Sequence, residues 1–305
     1  MATVEVVPFD DLPWGSLGTH REYHIEIKKP IHGREGALDN FRLTFNRGLG
    51  GTENQPRHRH NFDQIRMPLA GRVSYGPKRW IEAGDIGYFP EGLHYGPTED
   101  HRDVGTSGLT LQFGGASGLG FLSSDQMLAA TRALEGLGTF EKGLFWRETA
   151  GGKRKPQDAF EAMWEHVNGR RIEYPKPRYT DQIVMRPANY AWQGLPDAPG
   201  VQIKPLGDFT ERHVTVQLLR LEPGAAATLG PRGGTQACVV LNGAGTVDGS
   251  AASTYASIKI DPGARARIAT DGGIEMVVFG LPIFEAAAGA ERAGATSEQR
   301  ETVNA

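Results

Sequence analysis

Two histidines separated by one residue are the clearest indication of chemistry in this sequence. His58 and His60 flank Arg59, Gln64 follows four residues later, and His94 comes after a Pro-Glu-Gly corner. Residues i and i+2 of a β-strand point to the same side of the sheet, so His58 and His60 face one spot. His94 can join them if the strands curl into a small barrel. Three imidazoles around one spot form a divalent metal site with positions left open for water or substrate.

Length, charge and cysteine content exclude several classes of protein. The chain has 305 residues, enough for two domains with separate cores. Its 33 basic and 36 acidic residues give a net charge of −3, so charge gives no case for binding nucleic acid or an anionic membrane. Cys238 is the only cysteine, which excludes an intramolecular disulfide and a cysteine-ligated zinc site. With no signal-peptide pattern and no apolar run of the ~20 residues that span a bilayer, we expect a soluble cytoplasmic protein.

Short alternating segments between scattered glycines and prolines predict an all-β fold. Residues 41–46 alternate apolar and polar side chains, and further strands follow every eight to twelve residues up to about residue 113. Residues 124–134 and 157–167 instead have capping residues and apolar side chains at helical spacing. We therefore expect a partly helical connector over residues 121–180.

The β pattern returns after the connector and repeats the first half. Gln236 corresponds to Gln64, and a glycine follows each of them after seven residues. The positions of the three histidines are taken in the second copy by Gly230, Arg232 and Arg265. This self-similarity predicts a duplicated barrel with metal only in the first copy.

These residues resemble the two sequence motifs of the cupin superfamily, and in particular of the bicupins. The first motif, HxH, three residues, Glu, six residues, Gly, reads here His58, His60, Gln64, Gly71. The second motif, Gly, five residues, Pro, one residue, Gly, two residues, His, reads here Gly84, Pro90, Gly92, His94, one residue short at its end.

The resemblance implies two cupin barrels, each a double-stranded β-helix or jelly roll. The implied parts are an N-terminal metal-binding barrel (1–120), the connector (121–180), a degenerate C-terminal barrel (181–285) and a flexible tail (286–305). Cupins of this kind often associate through edge strands, which implies a homo-oligomer such as a dimer.

Within the bicupins, the first segment is similar to the ring-cleaving dioxygenases related to gentisate dioxygenase. Those enzymes bind ferrous iron with three histidines, and an arginine six residues after the second histidine binds the substrate carboxylate. His58-Arg59-His60 and Arg66 match that pattern. By strand parity Arg66 also faces inward, where a buried arginine beside a metal is costly without an anion. The resemblance therefore implies a small carboxylate substrate.

The resemblance also implies roles for the other site residues. His58, His60 and His94 hold the metal, with Fe(II) favoured over Zn, Ni or Mn. Gln64 replaces the usual carboxylate ligand, and it offers its amide oxygen to the metal or hydrogen-bonds a metal-bound water. Tyr95 donates a hydrogen bond to a metal-bound ligand or packs at the barrel mouth.

Three polar side chains have two interpretations each. Arg66 anchors a substrate carboxylate or forms a rim ion pair with Glu53 or Asp63. Arg42 and Gln112 lie on polar strand faces that line the first cavity or face solvent.

The favoured function is a non-haem Fe(II) dioxygenase acting on a small aromatic or dicarbonyl carboxylic acid. One alternative is an isomerase, lyase or hydrolase that uses Zn, Ni or Mn as a Lewis acid, with Asp63 or Glu91 as general base. Another is a non-catalytic binder of small molecules. No catalytic side chain is assigned.

Overall fold

Antiparallel β-strands are the main regular secondary structure of the chain, as the sequence predicts. The protein is described by a computed structural model that covers residues 2–16, 25–152, 155–209 and 211–284. The predicted tail from residue 286 lies outside these ranges. Within them, no helix is long and apolar enough to cross a membrane.

Within the described residues, ten strands precede the first helix. Their bounds are β1 (Val4–Val7), β2 (Ile25–Lys28), β3 (Phe41–Gly48), β4 (Thr52–Gln55), β5 (Phe62–Ala70), β6 (Arg72–Gly76), β7 (Arg79–Glu82), β8 (Ile86–Phe89), β9 (Thr98–His101) and β10 (Ser107–Gly114). Strands β4 and β9 form one two-stranded sheet, and β6 and β7 form another.

The two helices lie in the middle of the chain, within a residue or two of the predicted helical segments. The elements there are α1 (Ser124–Glu135), β11 (Gly138–Glu141), β12 (Leu144–Arg147), β13 (Lys155–Asp158) and α2 (Ala159–Asn168). Ser123 and Gln126 form a reciprocal capping box at the start of α1. Asp158 caps α2, which ends at Gly169 in the left-handed conformation.

The rest of the chain is again mainly β. Its elements are β14 (Ile183–Met185), a 3₁₀ helix (Pro187–Asn189), β15 (Gln193–Leu195), β16 (Ala198–Phe209), β17 (Val214–Leu221), β18 (Ala226–Leu229), β19 (Gln236–Val247), β20 (Ser250–Ser253), β21 (Ser257–Ile260), β22 (Ala266–Ala269) and β23 (Ile274–Gly280). These strands, with β1 and without β14, form a ten-stranded sheet.

Two strands pair across the predicted domain boundaries. β1, at the start of the chain, pairs with β21 of the C-terminal sheet. β14, which follows the connector, pairs with β8 and completes a six-stranded sheet of order β14-β8-β5-β10-β3-β2. Each large sheet therefore contains a strand from outside its expected segment.

The six-stranded sheet has one apolar face and one polar face. Alternate residues of a strand point to opposite faces. The odd-numbered residues of its central strands form a buried cluster, namely Phe41, Leu43, Phe45, Ile65, Met67, Leu109, Leu111 and Phe113. The same cluster includes Val216, Val239 and Val277 of the C-terminal sheet. The apolar face thus packs on the C-terminal sheet, and the even-numbered residues face a cavity.

The other face of the C-terminal sheet covers a separate apolar core. Alternate residues of β17, β19 and β23 contribute to it, among them Leu219, Cys238, Val240, Met276 and Val278. Burial raises the pKa of the Cys238 thiol to about 12, so this cysteine stays protonated and serves as a small apolar side chain.

A buried cluster of charged side chains links Arg178, in the segment after α2, to the six-stranded sheet. Arg178 donates to both oxygens of Asp63, with the shorter N–O distance 3.1 Å, and to Glu91 at 2.8 Å. The same guanidinium lies 3.1 Å from Glu211 of the C-terminal half. Asp63 is fully buried, and burial raises its pKa to about 6, with Glu91 adding to the effect and Arg178 opposing it.

Removal of Arg178 should destabilise the fold strongly. Arg178→Met leaves Asp63 and Glu91 buried without their cation, and breaking such a cluster costs about 3–5 kcal/mol. Urea unfolding measures the difference. Arg170→Met is the matched control, because Arg170 pairs with Glu173 at an exposed position and should lose less than about 1 kcal/mol. Equal losses in the two variants would contradict the structural role of Arg178.

The titration of Asp63 gives a second test. Its folded pKa of about 6 lies above the ordinary 3.8. The contribution of Asp63 to stability is therefore present in full below the ordinary pKa and is lost as the pH rises through the folded pKa. We expect the free energy of unfolding of wild type, relative to Asp63→Asn, to be higher near pH 4 than near pH 7.5 by up to about 3 kcal/mol. A difference independent of pH would refute the raised pKa.

Candidate functional site

The polar face of the six-stranded sheet lines a cavity of about 160 Å³. This volume is below the ~300–1,000 Å³ of sites for drug-sized ligands, so it suits a small molecule. The sheet contributes several polar residues to the wall, including Arg42, Thr44, Gln64, Arg66, Thr110 and Gln112. The opposite wall includes Glu53, Gln55, Val73, Tyr95 and Arg102, and the connector contributes Phe121, Met127 and Phe160.

His58 and His60 lie together at one end of β5. Their ring centroids are 5.0 Å apart. The backbone of His58 exchanges two hydrogen bonds with Tyr95, with N–O distances of 3.0 and 2.9 Å, and its Nδ1 lies 2.7 Å from the Pro56 carbonyl oxygen. His60 stacks on Phe62, which brings its ring to the cavity wall.

His94 does not join the other two histidines. Its side chain is exposed, whereas the next residue, Tyr95, is buried and lines the cavity. Partial desolvation lowers the pKa of His94, and Arg59 and Arg57 lower it further. The second motif is one residue short before His94, and successive residues of extended backbone point to opposite sides. The inward position therefore falls to Tyr95. Among the described residues, no group of three or more His, Cys, Asp or Glu side chains is placed to hold a metal.

The Tyr95 hydroxyl is the centre of the polar network in the cavity. It lies 3.1 Å from His60 Nε2, 3.2 Å from Gln64 Nε2 and 3.0 Å from a guanidinium nitrogen of Arg66. Tyr95 therefore occupies a position where three predicted site residues converge.

A row of residues across three strands fixes the direction of this network. Gln112 of β10 lies opposite Arg42 of β3 and Gln64 of β5. Arginine only donates, so Arg42 determines that Gln112 accepts with its amide oxygen. The Gln112 amide nitrogen then donates to Gln64 Oε1 at 3.2 Å, and the Gln64 amide nitrogen donates to Tyr95. The cavity placement of Arg42 and Gln112 is the first of their two predicted alternatives.

Arg66 reaches the cavity without either predicted ion-pair partner. Glu53 pairs with Arg102 at 3.2 Å, and Asp63 pairs with Arg178. Arg66 donates to neutral oxygens of Gln64 and Tyr95, and its guanidinium lies 4.7 Å from the centroid of the Phe89 ring. In the part of the chain that the structure describes, Arg66 makes no ion pair with a carboxylate. The rim ion pair proposed from the sequence is therefore wrong.

The charged residues of the cavity leave an excess of positive charge. Arg102 binds both Glu53 and Asp100, so this trio carries one net negative charge. Arg42 and Arg66 carry one positive charge each. Over these five described residues, the formal charges sum to one positive charge.

The two predicted general-base candidates do not line the cavity. Asp63 and Glu91 both belong to the Arg178 cluster, and Glu91 also accepts from the Ser117 backbone at 2.9 Å and from its hydroxyl. Neither carboxylate is available to abstract a proton from a molecule held beside Arg66.

The connector contributes cavity residues that the sequence did not indicate. Phe121, Met127 and Phe160 line the cavity, and Arg42 donates to Ser124 at the start of α1 with an N–O distance of 2.5 Å. Residues of α1 and α2 pack in one buried cluster with Phe62 of β5, so both helices cover this end of the sheet. No local pattern showed that this surface is the mouth of the polar cavity.

Comparison with solved structures shows a cupin-type fold. The "Putative Glyoxylate Induced Protein" from Pseudomonas aeruginosa has a TM-score of 0.56 at 11% identity, with 94% of this chain and 92% of that chain covered. A variant of Bacillus subtilis oxalate decarboxylase has a TM-score of 0.53 at 14% identity, covering 93% and 78%. A "putative dioxygenase" from Nostoc punctiforme has a TM-score of 0.53 at 11% identity, covering 93% and 81%. At these identities the likeness shows the fold alone. No protein-family model and no curated protein matches the chain.

The different placement of the histidines gives a testable contrast. His60→Ala removes a ring that packs on Phe62 and contacts Tyr95, so we expect a loss of about 2 kcal/mol in the free energy of unfolding. His94→Ala alters an exposed side chain and should change it by less than about 0.5 kcal/mol. Urea unfolding of both variants provides the measurement. A larger loss for His94→Ala would contradict the outward orientation of that residue.

Proposed function

We propose that the chain is a two-barrel cupin whose first barrel binds a small organic carboxylate. The observation that carries the proposal is Arg66, a partly buried guanidinium that faces the cavity and donates only to neutral oxygens. A desolvated cation without a counterion is costly, and a bound carboxylate would remove that cost. Guanidinium and carboxylate also match in geometry, with two parallel hydrogen bonds.

The remaining wall suggests the rest of the ligand. The cavity wall has an apolar part beside the polar row formed by Arg42, Gln112 and Gln64. This apolar part consists of Phe62, Phe121, Met127 and Phe160. A molecule whose carboxylate meets Arg66 would place an apolar or aromatic body against these side chains. Two structural neighbours are named for small carboxylates, oxalate and glyoxylate, in agreement with this class of ligand.

The favoured iron(II) dioxygenase activity requires three histidines around one metal ion. His58 and His60 lie together and His94 is exposed, so the three predicted histidines do not surround one metal ion, and no other group of ligands does so among the described residues. The same mismatch applies to the zinc, nickel and manganese alternatives, which use the same ligands. We therefore assign carboxylate binding to this site and no ring-cleaving step.

Titration calorimetry with benzoate, salicylate and oxalate tests the proposal, with benzamide as an uncharged control ligand. Wild type should bind at least one of the acids more tightly than benzamide. Arg66→Gln should weaken that binding about 10- to 100-fold, because a charge-assisted hydrogen bond contributes about 1.5–3 kcal/mol.

Arg72→Gln is the matched control variant. Arg72 is exposed, lies over the Trp80 ring outside the cavity, and should leave the affinity unchanged. The proposal fails if Arg66→Gln binds the acids as wild type does, or if wild type does not distinguish them from benzamide.

A further inference from the structure

We infer that the Tyr95 hydroxyl takes the place of a metal ion in this cavity, so that the first barrel works without a metal. The inference concerns the same site as the proposed carboxylate binding, but its test uses metal ions and NMR and does not depend on the ligand.

Hydrogen-bond accounting assigns the proton of Tyr95. A phenol oxygen has two acceptor positions and one donor hydrogen. Arg66 and the Gln64 amide nitrogen donate to this oxygen at 3.0 and 3.2 Å and fill both acceptor positions. The hydroxyl hydrogen then points to His60 Nε2 at 3.1 Å. Arg42 can only donate, so the Gln112 amide must accept from it with its oxygen. The Gln112 amide nitrogen then donates to the Gln64 oxygen, so neither amide group can be reversed.

This arrangement engages a nitrogen that a metal would need. His60 accepts at Nε2 and is therefore neutral, with its own proton on Nδ1. A metal ion bound at Nε2 would have to displace the Tyr95 hydroxyl hydrogen, which this nitrogen accepts. The Tyr95 hydroxyl thus holds together the histidine, the glutamine and the arginine that a metal would otherwise organise.

The charges of the cavity residues give an independent argument against a bound metal ion. Arg42 and Arg66 both line it, and its one lining carboxylate among the described residues, Glu53, is paired with Arg102. A divalent cation would add two positive charges beside the Arg66 guanidinium, which donates to neutral oxygens and makes no ion pair with a carboxylate of the described residues. A carboxylate anion has the opposite effect.

The variant Tyr95→His tests whether this one residue decides metal binding. It places a third imidazole on the inward side of the chain, next to His58 and His60, and removes the hydroxyl. We expect wild type to remain metal-free after anaerobic incubation with Co²⁺ or Fe²⁺ and desalting. Tyr95→His should retain about one Co²⁺ per chain, with the visible absorption of a nitrogen-ligated site. Tyr95→His/His60→Ala is the matched control and should lose that ion.

Each outcome decides the inference. Stoichiometric metal in wild type that is lost in His60→Ala would overturn it. Metal in neither wild type nor Tyr95→His would overturn the claim that the tyrosine takes the place of the metal. Carboxylate binding by metal-free wild type is measured separately, so the proposed ligand class and this inference fail independently.

A second measurement covers the case in which Tyr95→His does not fold. The nitrogen-15 chemical shifts of His60 in wild type report which ring nitrogen carries the proton. We expect the proton on Nδ1 and an accepting Nε2, with an Nε2 shift that moves in Tyr95→Phe. A protonated Nε2 in wild type would overturn the hydrogen-bond assignment.

Discussion

The two-faced six-stranded sheet is the constraint on which the rest of the structure depends. Its odd-numbered side chains pack against the C-terminal sheet, and its even-numbered side chains face the cavity. Desolvation of the polar side chains on the cavity face costs free energy. The buried apolar contacts between the opposite face and the C-terminal sheet offset that cost. The C-terminal half thus acts as the support of the site, with an apolar interior of its own.

The hydrogen bonds of the polar row have a fixed direction. They run from Arg42 through Gln112 and Gln64 to Tyr95 and His60, starting at a group that can only donate. Such a network holds every member in one orientation, which a binding site needs before its ligand arrives. Arg66, which donates to Gln64 and Tyr95 of this network, makes no ion pair with a carboxylate of the described residues, and the proposed carboxylate ligand rests on that observation.

The charged residues Asp63, Glu91 and Arg66 fall into two groups, one in the buried Arg178 cluster and one in the cavity wall. Asp63 and Glu91 lie near the start of β5 and the end of β8, yet both face Arg178 and hold the connector in place. Arg66 lies only three residues from Asp63, on the face turned to the cavity. The alternation of a single strand therefore places Asp63 in the buried Arg178 cluster and Arg66 in the cavity wall.

The sequence by itself determined the all-β class, the two helices of the connector and the inward face of β5. Alternation and capping are local, so Gln64 and Arg66 could be placed on one face without knowledge of their neighbours. The replacement of the three motif histidines by Gly230, Arg232 and Arg265 in the second copy was equally plain from the sequence.

Only the tertiary structure decided which of His94 and Tyr95 faces the cavity. The orientation of a residue after a turn depends on the backbone path through Pro90 and Gly92, and a shift of one residue reverses it. The ion pairs of Arg178, and the pair of Arg102 with Glu53, could not be predicted either, because they join segments distant in the sequence. The same holds for Phe160 of the connector, whose helical spacing predicts burial but does not show what it covers.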